Sequence, residues 1–178
     1  MKFAIIGTGA IAQRHFYNLK SIIPNSEIVI LTREEDLSRK KQDFSGIQSF
    51  VFHIDDVINF SPNAGLICSP SSLHIEQAIK LVKNGVHIFI EKPLSSNLNG
   101  VNDLIMEREK KEVEIMVGYP LRFNPSLIFF KDYLQSESLG RVTKIVSICS
   151  SYLPNWRPNL DYRKSVSAIE SLGGGVLL

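Results

Sequence analysis

Short apolar runs alternate with longer amphipathic stretches from the first residues of the chain to about residue 120. The short runs have the length of β-strands and predict strands over 3–6, 28–31, 50–52, 64–68, 86–90 and 115–117. The first, fourth and fifth runs are continuously apolar, as expected for parallel strands that are covered on both faces. Alternation with helices predicts βαβ units, and therefore an α/β fold of the Rossmann type with a doubly wound parallel sheet.

Apolar side chains at helical spacing predict two of the helices between these strands. One spans 75–82 and is ended by Asn84-Gly85; the other spans 98–105, with Ser95 and Ser96 as candidate caps.

The pattern changes after Gly118, where prolines punctuate the chain and a longer apolar run over 142–151 predicts another strand. The glycines at 173–175 predict a bend that enters a further strand. We therefore expect two domains: a Rossmann domain over 1–120, and over 121–178 the incomplete start of an α+β substrate domain.

Composition narrows the class of protein. The 20 basic and 18 acidic residues are interleaved with a net charge of only +2, which excludes a nucleic-acid or lipid-binding stripe. Cys68 and Cys149 are far apart and suggest neither a disulfide framework nor a metal site, so a reducing cytoplasm is expected. The N-terminal apolar run ends at Gly7, too short for a signal or membrane segment, and we expect the folded protein to start at residue 1.

The sequence GTGAIA at 7–12 directly follows the first strand and opens a helix whose apolar face is expected to include Ile11, Leu19 and Ile22. In such GxGxxA turns the first glycine permits the tight turn, the second lets a pyrophosphate approach the backbone, and a small third residue allows close helix packing. The helix N-terminus favours the anion. A glycine-rich turn without a ligand is the alternative.

The second predicted strand ends at Leu31-Thr32-Arg33 rather than at the acidic residue usual for NAD sites. An Arg33 guanidinium there could bind a 2′-phosphate or stack on adenine, which favours NADP over NAD. Alternatively, Arg33 is a solvated side chain and Glu34 or Glu35 binds the ribose.

Two further segments follow strands at the carboxyl edge of the sheet, where doubly wound folds bind ligands. SPSSLH at 69–74 follows the fourth strand; taken alone, its serines suggest helix caps and His74 a surface residue. Glu91-Lys92-Pro93 follows the fifth strand. A partly desolvated lysine there could donate a proton or hydrogen bond to a carbinol or carbonyl oxygen, although charged turns closed by proline are common.

Together, GTGAIA, SPSSLH and EKP resemble the glucose-fructose oxidoreductase and inositol dehydrogenase family (Gfo/Idh/MocA) in order, spacing and position. The resemblance continues through Gly118-Tyr119, 122–125, 152–158, 161–164 and the glycine triplet. The later segments look most like members from bacterial surface-polysaccharide and nucleotide-sugar metabolism.

The resemblance implies an NAD(P)-dependent sugar or nucleotide-sugar oxidoreductase, with full-length relatives forming homo-oligomers. It implies a role for Lys92 beside the nicotinamide and substrate hydroxyl, and a cis Lys92-Pro93 peptide. The resemblance also implies a set of cofactor-binding residues: Gly7, Thr8, Gly9, Ala10, Ile11, Ser69, Pro70 and His74. Glu91 and Lys92 are expected to bind the cofactor as well, and Arg33 is added from the argument on the second strand.

The family also supplies an Asp and a His beyond the last residue of this chain. Two functions are therefore considered: a sugar dehydrogenase in which Lys92 assists proton transfer, and a truncated remnant that binds a dinucleotide without turnover. The second is favoured for the isolated 178 residues. A different Rossmann ligand, such as S-adenosylmethionine, would leave EKP unexplained.

The remaining candidates have structural interpretations. Asn124-Pro125 is expected to cap a helix carrying Leu127, Phe130 and Leu134. Trp156, Arg157 and Arg163 could line a sugar or phosphate site in a complete enzyme, but without a closing sheet they are expected to be ordinary surface residues. His15, His53 and His87 lack metal-ligand spacing.

Overall fold

The computed structural model describes residues 1–47, 49–136, 140–156 and 161–175. Six strands form within these residues, each within one residue of its predicted bounds: β1 (Lys2–Ile6), β2 (Glu27–Leu31), β3 (Ser49–Val51), β4 (Ala64–Ile67), β5 (His87–Glu91) and β6 (Ile115–Gly118). The described helices are α1 (Ala10–Ile22), α2 (Leu37–Lys40), α3 (Ile54–Phe60), α4 (His74–Lys83), α5 (Val101–Lys111), α6 (Pro125–Gln135) and α7 (Leu153–Trp156).

The strands form one sheet in the order β3-β2-β1-β4-β5-β6, and every neighbouring pair is parallel. This is the strand order of a Rossmann fold, so the predicted fold class is confirmed. In the central strands Ile6 pairs with Ile67, which in turn pairs with Ile90. The turns that leave β1, β4 and β5 therefore lie side by side at the carboxyl edge.

The core lies on both faces of the sheet. Along β1, Phe3 and Ile5 pack with the α1 residue Phe16 on one face, whereas Ala4 and Ile6 belong to the apolar cluster of the other face. That second cluster includes side chains from α3, α4 and α5. Burial of successive residues on opposite faces explains why the strand is continuously apolar.

The helix α4 agrees with its apolar spacing, and Gly85 follows it with a φ of +76° as the predicted stop. The predicted start of the next helix was wrong: α5 begins at Val101, and Leu98 is 86% exposed. Gly100 precedes it with a φ of +75°, and an added Cβ there would lie 2.9 Å from Ile75 Cγ2. Close packing on α4 therefore sets this helix start, and the serines at 95 and 96 do not cap it.

Two other predictions from apolar spacing were wrong. Ile22 is 76% exposed, because Ala12 and Phe16 form the buried row of α1 and Ile22 falls outside it. The run over 142–151 forms no strand in the part of the chain that the structure describes, and Ile148 is 86% exposed. An apolar run becomes a strand only where another strand satisfies its backbone groups, and no described strand pairs with this one.

The chain leaves the sheet after Gly118 and continues into α6, whose predicted cap is confirmed. Asn124 Oδ1 accepts hydrogen bonds from the Ser126 and Leu127 amides, and Pro125 occupies the first helical position. The domain boundary near residue 120 stays a prediction, and the strand expected after the glycine triplet lies at 176–178, outside the described residues. Among the described helices, none has the length and apolarity needed to cross a membrane.

Candidate functional site

Four of the turns singled out from the sequence meet at the carboxyl edge of the sheet. Hydrogen bonds tie the strand ends together there: the Gly7 amide donates to the Leu31 carbonyl, and the Cys68 amide donates to the Ile6 carbonyl, each at 2.9 Å. Glu91 at the end of β5 pairs with Gly118 at the end of β6. The sheet register therefore brings the turns after β1, β2, β4 and β5 together.

The fold requires glycine at only one of the two glycine positions in the first turn. Gly7 has a φ of +110°, and an added Cβ would lie 3.0 Å from the Cys68 carbonyl oxygen, so both conformation and close packing demand glycine. Gly9 has an ordinary φ of −72°, and no described heavy atom lies within 4 Å of an added Cβ. The folded chain itself therefore tolerates a side chain at position 9, and the space above Gly9 is open.

Gly9 is also the N-cap of α1, and no described side chain caps this helix. The first turn contains no acidic residue. Free N–H groups and the helix macrodipole favour an anion at such a terminus. Thr8, Ala10 and Ile11 surround this open turn, and its shape and charge suit a pyrophosphate.

The turn after β2 carries one cation among three carboxylates. Arg33 Nη2 lies 2.7 Å from Asp36 Oδ2, and its Nη1 lies 3.0 Å from Glu35 Oε1. Its Nε also donates to Asp36 at 2.9 Å. Arg33 is 74% exposed and Asp36 only 14%, so the guanidinium lies over a partly buried carboxylate of its own turn.

The turn after β4 is built differently from the surface cap suggested by the sequence taken alone. His74 is 1% exposed, with Nε2 2.8 Å from the Ser69 carbonyl oxygen and Nδ1 2.9 Å from the Pro93 carbonyl oxygen. The Ser69 hydroxyl donates to Gln77 Oε1 at 2.6 Å. The surface interpretation of His74 was wrong: its ring connects the loops after β4 and β5.

The loop after β5 presents Lys92 to solvent. The Lys92-Pro93 peptide is cis, as the resemblance implied. Lys92 is exposed, and its ammonium forms no hydrogen bond or ion pair with the described residues. The partly desolvated cleft suggested for this lysine is therefore not formed by the described part of the chain. The amide of Lys92 donates to Glu91 Oε2 at 3.2 Å.

Glu91 and His15 form a hydrogen-bonded pair that sequence reasoning missed. His15 Nε2 lies 2.7 Å from Glu91 Oε1, whereas the sequence indicates only that His15 lacks metal-ligand spacing. Burial is the largest influence on Glu91 and would raise its pKa. Hydrogen bonds and charge from His15 and Lys92 outweigh it and hold the pKa below its usual value of 4.5. A usable signal was present: His15 lies one helical turn after Ile11.

Cys68 lies beneath these turns as an inert thiol. Burial, and secondarily the negative charge of Glu91, raises the pKa of Cys68 far above its ordinary range. A thiol that stays protonated is a poor nucleophile and a poor metal ligand. No group of three potential metal ligands occurs among the described side chains, which include His53 and His87.

The later segments contact this edge at Ser71. The Ser71 hydroxyl donates to the Gly173 carbonyl at 3.2 Å, so the first glycine of the triplet lies against the turn after β4. Arg163 is exposed and paired with Asp161, as expected of a surface residue. Arg157 and the side chain of Trp156 lie outside the described residues.

Comparison with known proteins agrees with this geometry. Residues 1–119 match the model of the Gfo/Idh/MocA oxidoreductase family, described as having an NAD-binding Rossmann fold. The chain is 32% identical over 180 residues to the myo-inositol 2-dehydrogenase of Thermotoga maritima, an alignment that covers 100% of this chain and 51% of that protein. The chain thus spans about half the length of such relatives.

Solved structures show the same fold. A probable dehydrogenase from Thermotoga maritima superposes with a TM-score of 0.67 at 30% identity, covering 79% of this chain and 42% of that one. The WlbA dehydrogenase of Bordetella pertussis, in complex with NADH and UDP-GlcNAcA, gives a TM-score of 0.70 at 22% identity over 79% and 41%, a likeness of fold alone. The family match over 1–119 and the Thermotoga maritima relative together establish that the chain belongs to the Gfo/Idh/MocA oxidoreductase family.

Proposed function

We propose that the chain is the dinucleotide-binding half of an oxidoreductase that uses NAD and acts on a sugar or nucleotide sugar. The observation that carries the proposal is the open helix N-terminus at Gly9, which faces the same sheet edge as the unpaired ammonium of Lys92. A glycine that the fold itself does not need leaves room for a ligand that approaches the backbone.

Different residues of the site would hold different parts of a dinucleotide. Thr8, Gly9, Ala10 and Ile11 would hold the pyrophosphate at the start of α1, because free amides point outward there. Gly7 shapes the turn, while Ser69 and Pro70 would line the nicotinamide side after β4. His74 would act there through the loops that it joins, since its ring is buried.

Lys92 would transfer a proton to or from the substrate oxygen. A nicotinamide held at this edge would provide the hydride chemistry at the carbinol carbon. In the reducing direction the Lys92 ammonium would donate a proton to the carbonyl oxygen as the alcohol forms; in the oxidising direction its neutral form would accept the hydroxyl proton. Glu91 accepts a hydrogen bond from the Lys92 amide, which holds the lysine backbone at this edge.

The ion pairs of Arg33 favour NAD, which reverses the preference for NADP drawn from the sequence. A 2′-phosphate would have to compete with Asp36 and Glu35 for the guanidinium, and it would enter a turn that also carries Glu34. A neutral ribose 2′-hydroxyl meets no such repulsion and could donate to a carboxylate.

The substrate class rests on relatives. They include the myo-inositol 2-dehydrogenase of Thermotoga maritima and the WlbA dehydrogenase bound to UDP-GlcNAcA, a polyol enzyme and a nucleotide-sugar complex. A role in surface-polysaccharide metabolism is proposed only from the resemblance of segments 152–158 and 161–164.

The 178 residues by themselves are proposed to bind the dinucleotide without turnover. Lys92 is exposed to solvent in the described chain, and an unshielded ammonium is a weak general acid compared with one in a closed site.

Fluorescence titration with NADH and NADPH tests the proposal. We expect saturable NADH binding that Gly9→Asp abolishes and that Lys92→Ala weakens by less than about tenfold. Lys83→Ala, at the distant end of α4, is the matched control for the loss of a lysine. Failure of the wild-type chain to bind either nucleotide would refute the proposed function.

A further inference from the structure

His15 bridges two parts of the site, the glycine turn after β1 and the Lys92 loop after β5. It belongs to α1, whose N-terminus begins at the open glycine turn, and its ring contacts the strand that leads into the Lys92 loop. Nε2 lies 2.7 Å from Glu91 Oε1, and the ring meets Phe89 edge-on with centroids 5.1 Å apart. The side chains of His15 and Glu91 are only 18% and 13% exposed, so water competes little for this contact.

The two oxygens of the Glu91 carboxylate have different partners. Oε1 faces His15, and Oε2 accepts the Lys92 amide at 3.2 Å. A carboxylate held at both oxygens cannot rotate freely, so the imidazole restrains the backbone of the next residue.

The surroundings leave space for this arrangement. An added Cβ at Gly118 would lie 2.7 Å from Phe89 Cζ and 3.5 Å from Glu91 Oε1. The glycine at the end of β6 therefore allows the phenyl ring and the carboxylate to lie where His15 can reach both. Apart from His15, the ionisable group that acts on Glu91 among the described residues is Lys92. Glu91 in turn helps to raise the pKa of the buried Cys68.

We infer that His15 is a positioning residue: through Glu91 it couples the helix that begins at the glycine turn to the backbone of Lys92. The backbone of Lys92, from which the ammonium extends, is thereby held in place relative to the start of α1. The consequence for nucleotide binding rests on the proposed function, whereas the coupling itself is a property of the free chain.

The test combines the ¹H and ¹⁵N shifts of the Lys92 amide with NADH affinity in the full 178-residue chain. His15→Leu removes the donor, His15→Gln retains one, and His87→Leu replaces a histidine at the opposite end of β5. We expect His15→Leu to move the Lys92 resonance and weaken NADH binding about tenfold. His15→Gln should recover most of both effects, and His87→Leu should change neither.

A double-mutant cycle separates coupling from general loss of stability. If His15 acts through Glu91, adding Glu91→Gln to His15→Leu will cause little further change in the Lys92 shift. Additive effects, or an unmoved Lys92 resonance in both folded His15 variants, would overturn the inference. The amide shift needs no nucleotide, so failure of the wild-type chain to bind NADH would count against the proposed function and leave this test intact.

Discussion

His74 Nδ1 lies 2.9 Å from the carbonyl oxygen of Pro93, although the two residues are 19 positions apart in the chain. The other ring nitrogen lies 2.8 Å from the Ser69 carbonyl oxygen. A neutral imidazole can donate to only one of these oxygens, and both accept a hydrogen bond only when the ring carries two protons. In either state a fully buried ring connects the loop of the cis peptide to the turn after β4.

Replacing His74 by Phe should destabilise the chain, because a phenyl ring in this buried position has no nitrogen to hydrogen-bond the Ser69 or Pro93 carbonyl. We expect a loss of about 2–4 kcal/mol in the free energy of unfolding, measured by urea denaturation. His87→Phe, at an exposed position on β5, should cost less than about 1 kcal/mol. Equal losses in the two variants would contradict the bridging role of His74.

The two glycines of the first turn should respond in opposite ways. Gly9→Asp should leave the free energy of unfolding within about 0.5 kcal/mol of wild type, since an added Cβ has open space. It should lower NADH affinity by at least about tenfold through charge repulsion at the start of α1. Gly7→Ala should instead destabilise the fold by about 1–3 kcal/mol, because its φ is +110°.

These two effects are separated by comparing urea unfolding with fluorescence titration for each variant. A Gly9→Asp chain that is folded and binds NADH normally would rule out a pyrophosphate at this turn.

Nucleotide preference should shift when the partners of Arg33 lose their charge. The double change Glu35→Gln and Asp36→Asn frees the guanidinium and removes two carboxylates from the turn after β2. We expect the ratio of NADPH to NADH affinity to rise by about fivefold. Glu109→Gln on the exposed face of α5 controls for loss of a negative charge, and an unchanged ratio in the double variant would exclude Arg33 as the discriminating residue.

The Glu91–His15 contact should make the free energy of unfolding depend on pH. Because the pKa of Glu91 is lowered in the folded chain, the contact contributes its full stabilisation above the ordinary value of 4.5 and loses it as the pH falls through the lowered pKa. The difference in unfolding free energy between wild type and His15→Leu should therefore be largest near neutral pH and shrink below 4.5. A difference that stays constant over this range would mean that packing alone accounts for the effect.

The two cysteines should differ sharply in alkylation. Cys149 is exposed, whereas Cys68 is buried with its pKa raised by burial and by Glu91. With iodoacetamide at mildly alkaline pH, Cys68 should react about a hundredfold more slowly than Cys149, followed by mass spectrometry. In Cys149→Ser no rapidly modified thiol should remain until urea is added; rapid modification of the native variant would show that the sheet edge opens.

Local pattern was sufficient for the sheet. Apolar runs predicted the six strands β1 to β6 within one residue. The runs of β1, β4 and β5 are continuously apolar because these strands are covered on both faces of the sheet. The hydrophobic pattern failed where packing against another element decides the structure. The run at 142–151 has the composition of a strand without a described strand beside it, and α5 begins where Gly100 packs against Ile75.

The sequence by itself determined the fold class and the motifs that identify the family, since GTGAIA, SPSSLH and EKP each follow a strand whose direction sets their common edge. Only the tertiary structure decided which side chains meet at that edge. His15 and Glu91 are 76 residues apart, and His74 and Pro93 are 19 apart, yet the side chain of each histidine contacts its partner. Charge and hydrogen bonding act over a few ångströms of space, whatever the separation along the chain.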